Sequence, residues 1–243
     1  MRRTALFPTC VIDTVAGDVG MAVTRVLRAR GYEVEVPPDA TCCGQPAWNA
    51  GHADEAAAVA RQTLTALDES ADPVVCVPAG SCATMMRVYW PVLFRIVGDE
   101  EAASRAEALR PRIHEFSELL SDEEGAGRAP ASQQREVAYH HSCHMLRELH
   151  IEKEPEQLLD AAGVGTADWE GSRQCCGFGG TFSVKQPEIS TAMADDKLDD
   201  LAELGVTEVV GCDTSCLLHL RGRAEHRGLD LRFRHLAEVL DET

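Results

Sequence analysis

The chain has no run approaching the ~18 consecutive apolar residues that a membrane-spanning helix requires, so no transmembrane segment is expected. Basic charge is scarce: 23 Lys and Arg stand against 40 Asp and Glu, a net charge of −17 over 243 residues. Such a surface repels phosphate backbones and anionic headgroups, which argues against nucleic acid and lipid as partners. The acidic excess serves either solubility or a partner with a basic docking face. There is no G-x-G-x-x-G loop opening a helix, no P-loop and no C-x₂-C-x₂-C-x₃-C-P ferredoxin run. The apolar stretch in "MRRTALFPTCVIDTVAG" is broken by Pro8 and Asp13 before a signal-peptide core could form, so a cytoplasmic protein is expected.

Cysteine, by contrast, is plentiful. Ten cysteines in a reducing compartment point to metal or redox chemistry, because a chain this long has no need of disulfide staples. They repeat. Cys10 and Cys42 enclose 31 residues, as do Cys143 and Cys175, and adding 133 to Cys10, Cys42 and Cys43 gives Cys143, Cys175 and Cys176. Cys82 and Cys216 are 134 apart. Cys76 and Cys212, 136 apart, fit the repeat less well and read either as ligands or as small buried core residues. The repeat implies two copies of one domain: a first over 1–122, a linker over 123–135 rich in Gly, Ala, Ser and charge, and a second over 136–243.

Both halves alternate strands with helices, so each is expected to be a small, mostly parallel α/β sheet flanked by helices, the two related by pseudo-two-fold symmetry. In the first half, "TALFPT", "YEVEVP" and "DPVVCVP" read as strands. "DVGMAVTRVLRARG" has a helical stripe of Val19, Val23, Val26 and Leu27, and "DEAAAVARQTLTAL" is a second helix. "CATMMRVYWPVLF" begins a helix that Pro91 interrupts or ends, and one longer helix is expected over roughly 100–121. In the second half the strands are "EVAYHHS", "VGTADWE" and "TEVVGC", with "LDLRFRHL" as one more. "EPEQLLDAAG" is a helix, and a longer one carries a stripe of Ile189, Met193, Leu198 and Leu201.

Cys10, Cys82, Cys143 and Cys216 each follow a predicted strand, and each CCG pair lies in a loop between strand and helix. The carboxyl ends of parallel strands form the binding crevice of an open α/β sheet, so four sulfurs should converge in each half. Cys82 and Cys216 are expected near helix N-termini, where the dipole favours thiolate. Gly44, Gly177, Gly179 and Gly180 leave backbone N–H groups free to approach a bound anionic group closely. Four thiolates suit zinc or an iron–sulfur cluster. Adjacent cysteines crowd one tetrahedral ion but can bind different irons of one cluster, which favours a [4Fe–4S] cluster in each half, zinc in one half being the alternative. His140, His141, His144 and His219 gather near the second site, each as a polar neighbour or as a ligand. His144 is the one expected to hydrogen-bond a cluster sulfur. Lys185 is either a cation near that site or a solvated surface lysine.

The repeated C-x₃₁-CCG-x₃₇₋₃₈-C pattern resembles the cysteine-rich CCG domain of the B-type chain of heterodisulfide reductase, found also in iron–sulfur subunits of glycolate oxidase and anaerobic glycerol-3-phosphate dehydrogenase. More narrowly, "CCGQPAWNAG", "PAGSC", "CCGFGGTFSVK", "SCLLHL" and "HLAEVL" resemble the small two-domain lactate-utilization iron–sulfur proteins of the LutA/YkgE type, over nearly the whole chain. The resemblance implies a cytoplasmic electron-transfer subunit of an L-lactate-oxidising complex, beside a ferredoxin-domain iron–sulfur subunit and a third small subunit, and inactive without them. It implies metal ligation by Cys10, Cys42, Cys43 and Cys82 and by Cys143, Cys175, Cys176 and Cys216. The heterodisulfide reductase relatives end the pattern in C-x-x-C; here Ala79 and Asp213 stand in that place. A disulfide-reductase-type catalytic subunit and a zinc-stabilised interaction scaffold are the competing readings.

Overall fold

The computed structural model describes residues 2–70, 72–121 and 135–242. Its contacts divide the chain into two compact units, Met1–Phe116 and Ser117–Thr243. The expected linker lies outside the described residues except for Arg135, which opens a strand. Among the described residues, no helix is long and apolar enough to cross a membrane.

The first unit is built on a four-stranded sheet, β1 (Arg2–Leu6), β2 (Tyr32–Glu35), β3 (Val74–Val77) and β4 (Ile113–Glu115), in the order β2-β1-β3-β4. Every pairing is parallel. Parallel neighbours need crossovers, and helices supply them: α1 (Cys10–Val15) and α2 (Gly17–Ala29), then α3 (Gln45–Asn49) and α4 (Ala53–Glu69). After β3 come α5 (Gly80–Thr84), one π-turn over Met85–Tyr89, α6 (Trp90–Ile96) and α7 (Glu100–Leu109). Val19, Val23, Val26 and Leu27 of α2 are buried, as their spacing predicts.

Pro91 interrupts the helical run rather than ending it: it occupies the first turn of α6, where a missing N–H costs nothing, and the preceding π-turn absorbs the discontinuity. One expectation needs correction. The single helix over 100–121 is three elements. Arg110, Pro111 and Arg112 make a 3₁₀ turn after α7, β4 follows, and α8 (Phe116–Ser121), which falls in the second unit from Ser117 on, comes last. With only Ile113 apolar among its three residues, β4 leaves no periodicity to read.

The second unit repeats the topology. Its strands β5 (Arg135–His140), β6 (Val164–Ala167), β7 (Glu208–Gly211) and β8 (Arg232–His235) form a parallel sheet in the order β6-β5-β7-β8. Its helices are α9 (Glu154–Ala161), α10 (Phe182–Lys185), α11 (Pro187–Leu204), α12 (Thr214–Arg227) and α13 (Leu236–Leu240). The stripe on α11 is displaced from its predicted face. Ser190, Ala194, Lys197, Leu198 and Leu201 are buried, whereas Ile189 is 53% exposed. A lysine among the buried positions hid the true face from a hydropathy reading.

Candidate metal centre

In each sheet the strand order reverses between β1 and β3, or between β5 and β7, which makes the crevice beyond their carboxyl ends the natural binding place. Cys10 opens α1 just beyond β1, and Cys42 and Cys43 lie in the loop between β2 and α3. Cys82 sits in the first turn of α5, beyond β3. Three neighbouring strands therefore deliver four thiols to one edge. The Sγ atoms of Cys10 and Cys42 are 3.7 Å apart, and those of Cys43 and Cys82 are 3.2 Å apart. Cys42 and Cys43 also hydrogen-bond through their side chains.

The loop carrying the pair is pinned by backbone contacts. Thr63 Oγ1, buried on α4, donates to the Cys42 carbonyl at 2.8 Å and accepts from the N–H groups of Thr41 and Cys42 at 3.2 Å each. The Trp90 indole N–H donates to the Cys43 carbonyl at 2.8 Å. Gly44, at φ +85°, turns the chain into α3, and its N–H donates to Cys42 Sγ at 3.4 Å. A Cβ there would lie 2.7 Å from the Ala56 carbonyl oxygen, so the turn requires glycine.

The second unit assembles the same parts. Cys143 follows β5, Cys175 and Cys176 occupy the loop after β6, and Cys216 lies in the first turn of α12. Side-chain hydrogen bonds link Cys143 to Cys175, Cys175 to Cys176, and Cys176 to Cys216. The N–H of Gly177 reaches Cys175 Sγ at 3.4 Å and that of Phe178 reaches Cys176 Sγ at 3.5 Å. Gly177 has φ +88°, and a Cβ there would lie 2.6 Å from the Ser190 carbonyl oxygen. Gly179 and Gly180 carry the turn into α10; the N–H groups that meet sulfur in this loop are those of Gly177 and Phe178.

Charge decides what such a nest accepts. Hydrogen bonds from Cys10 and Cys43 and the Gly44 N–H lower the Cys42 thiol to about 3, while that thiolate and burial push Cys10 and Cys43 up. Cys175 is likewise lowered to about 2 by Cys143, Cys176 and Gly177, and Cys143 and Cys176 are raised. Without a cation each nest thus favours a thiolate beside protonated thiols. These thiols would hold a metal as thiolates, and its positive charge would offset the loss of the remaining protons. All ten cysteines are free thiols. The donor set thus fits a thiophilic metal group.

The two nests differ in what surrounds them. His140, at the end of β5, is 1% exposed, and neither ring nitrogen has a hydrogen-bond partner among the described residues. Its ring nitrogen and the sulfurs of Cys176 and Cys216 all lie within 4.8 Å of one another, a His/Cys/Cys group able to hold a metal ion. Burial, then the nearby Lys197 and His141, hold this imidazole neutral. Lys197 is fully buried on α11. Its ammonium donates to the Gly171 carbonyl and stands 4.5 Å over the Trp169 ring, and burial lowers it to about 8. The Trp169 indole in turn donates to the Tyr139 carbonyl at 3.1 Å.

The remaining candidate residues lie as follows. His144 pairs with Glu148 at 3.2 Å, His141 with Glu156 at 3.2 Å, and His219 with Ser190 at 3.4 Å. Lys185 is an exposed surface residue, and the cation buried beside the second nest is Lys197. Cys76 and Cys212 are not counterparts. In the strand registers Cys76 pairs with Leu6, and Val210 pairs with Tyr139, so Cys76 matches Val210 and Cys212 falls opposite Pro78. Both are fully buried, and the Tyr139 hydroxyl donates to Cys212 Sγ at 3.3 Å. Asp213 caps α12 by accepting from the Ser215 N–H. His140 and Lys197 were legible as differences from Phe7 and Thr63, the positions 133 and 134 residues earlier, but only once the repeat is read beyond its cysteines.

The cysteine-rich domain family CCG matches twice, over residues 4–87 and 137–221. Lactate utilization protein A of Exiguobacterium sp. strain AT1b is 38% identical over 243 residues, which cover 100% of this chain and 98% of that one. The protein of the same name from Geobacillus sp. strain WCH70 is 38% identical, covering 98% and 99%, and that of Bacillus cereus strain G9842 is 39% identical, covering 98% of each. With two CCG domains in tandem and end-to-end likeness to these relatives, the chain belongs to the family of CCG cysteine-rich proteins that includes lactate utilization protein A.

Proposed function

We propose that the protein is a cytoplasmic iron–sulfur electron-transfer subunit of an L-lactate-oxidising complex, with a [4Fe–4S] cluster in each unit. The observation that carries this reading is the twofold gathering of four thiols from three strand ends. Cys10, Cys42, Cys43 and Cys82 hold the first cluster, and Cys143, Cys175, Cys176 and Cys216 the second. A four-iron cluster, when held, accepts and gives up single electrons. The chain's own groups do the rest. The Gly44, Gly177 and Phe178 N–H groups offset negative charge on sulfur, which favours the reduced state. Trp90 and Thr63 fix the first CCG backbone, and Ser190 Oγ, donating to the Gly177 carbonyl at 2.8 Å, fixes the second.

The substrate and partners rest on relatives named lactate utilization protein A and on the absence of a dinucleotide-binding loop. A ferredoxin-domain iron–sulfur subunit and a third small subunit complete the unit that oxidises lactate. The test is to add L-lactate anaerobically to the isolated chain and to the complex co-purified from its native host. Cluster EPR signals should change redox state only in the complex. Intact clusters that lactate never reduces, or reduction in the isolated chain, contradict the reading.

A further inference from the structure

His140 is a buried polar residue with no hydrogen-bond partner among the described residues. An imidazole buried without partners pays its full desolvation cost, and native structures rarely leave one so unless something else uses it. Packing does not call for it. The matching position in the first unit, one residue beyond β1, is Phe7, fully buried in the same fold. The ring instead faces two of the four thiols of the second nest. Metal–donor bonds of about 2.0–2.3 Å allow two donors of one ion to be no more than roughly 4.6 Å apart. A nitrogen and two sulfurs already within 4.8 Å need only small side-chain movements to meet that limit.

We propose that His140 is a nitrogen ligand of the metal centre in the second unit, which therefore has mixed cysteine–histidine ligation, while the centre in the first unit is ligated by cysteine alone. The proposal rests on the metal-binding reading given above, and it adds a ligand that the repeated cysteine pattern does not contain. Its consequence is a pair of inequivalent centres in one chain. Imidazole, unlike thiolate, adds no negative charge, so the second centre has a different electronic environment from the first.

The experiment is pulsed EPR on anaerobically isolated, full-length protein labelled with ¹⁵N-histidine, as wild type and as Cys43→Ser, which removes a ligand from the first nest only. A strongly coupled ¹⁵N nucleus is expected in both, and its loss is expected in His140→Phe. If His140→Phe sheds metal, His140→Cys, which retains a ligand, should restore iron without restoring the coupling. Iron and sulfide present with no strong histidine coupling, or coupling that survives His140→Phe, overturns the proposal and leaves the cluster reading standing. Protein containing zinc and no iron defeats the cluster reading instead. The ligand is then read from zinc X-ray absorption, where a nitrogen scatterer must be present in wild type and absent in His140→Phe. Protein that binds neither metal defeats both.

Discussion

The two nests share a scaffold and differ in their surroundings. Both use a glycine at positive φ pressed against a helix carbonyl, Gly44 on Ala56 and Gly177 on Ser190, and both place the last cysteine in the first turn of a helix. Ala56 and Ser190 are 134 residues apart, as are Thr63 and Lys197. Where the first unit pins its loop with a neutral hydroxyl, the second therefore buries an ammonium. Where the first fills the space beyond its central strand with Phe7, the second sets His140 there. The geometry that gathers sulfur is repeated, and the polar groups around it are not. A repeat can preserve a binding site while its two copies acquire different electronic environments.

The sharpest break in the symmetry comes from tryptophan. Trp90 is fully buried in the first unit and ties down Cys43, whereas Trp169 holds Tyr139 on the strand. Trp90→Ala should cost about 3–5 kcal/mol and lower the metal content of the first centre. Hydrogen exchange resolved by unit should place the loss in residues 2–116. Equal loosening of both units would contradict the independence of the two nests.

Glycine tests the shared half of the comparison. Gly44→Ala and Gly177→Ala each drive a Cβ into a backbone oxygen, and each should destabilise its own unit by about 1–3 kcal/mol. Chemical denaturation with site-resolved exchange reads both. A tolerated alanine at either position would show that one of the turns is not the tight one described.

Thr63 tests the divergent half. Thr63→Val keeps the shape but removes the hydroxyl that serves Thr41 and Cys42, a cost of about 1–3 kcal/mol. Exchange protection of the Thr41 and Cys42 amides should fall. No change there would mean the loop is held by Trp90 alone.

The smallest effect lies on the surface of the second unit. Asp195 on α11 meets Arg223 on α12 at 2.7 Å, and that hydrogen bond holds its carboxyl below the usual range. A carboxyl depressed on folding contributes stability that is present above its unfolded pKa and fades as the pH falls through its folded one. Asp195→Asn should therefore cost under about 1 kcal/mol near neutral pH. The difference from wild type, measured by denaturant melts across acidic pH, should vanish at low pH. A gap that persists there would mean the pair acts through packing.

The sulfur constellation was legible because metal ligation demands a few residue types at set places, and a duplicated chain repeats the spacing. The parallel sheets followed from strands alternating with helices, and the α2 stripe of Val19, Val23, Val26 and Leu27 lies where its period puts it. The short strand β4 escaped because Ile113, His114 and Glu115 carry no alternation, and pairing with β3 alone defines it. The buried face of α11 escaped because Lys197 satisfies its charge through a carbonyl, an aromatic face and nearby thiols, partners that hydropathy does not register. His140 was visible as a histidine near cysteines, but its closeness to both Cys176 and Cys216 is a property of the fold.

The account depends above all on two separate metal-loaded nests, and quantitation of iron, sulfide and zinc with EPR on anaerobically isolated wild type, Cys43→Ser and Cys176→Ser tests it most directly. Each variant should keep about half the wild-type iron and sulfide, about four irons per remaining cluster, and the two surviving EPR signals should differ and together reproduce the wild-type spectrum. Colourless protein with stoichiometric zinc, or a single substitution that removes all of the iron or none of it, would contradict the account.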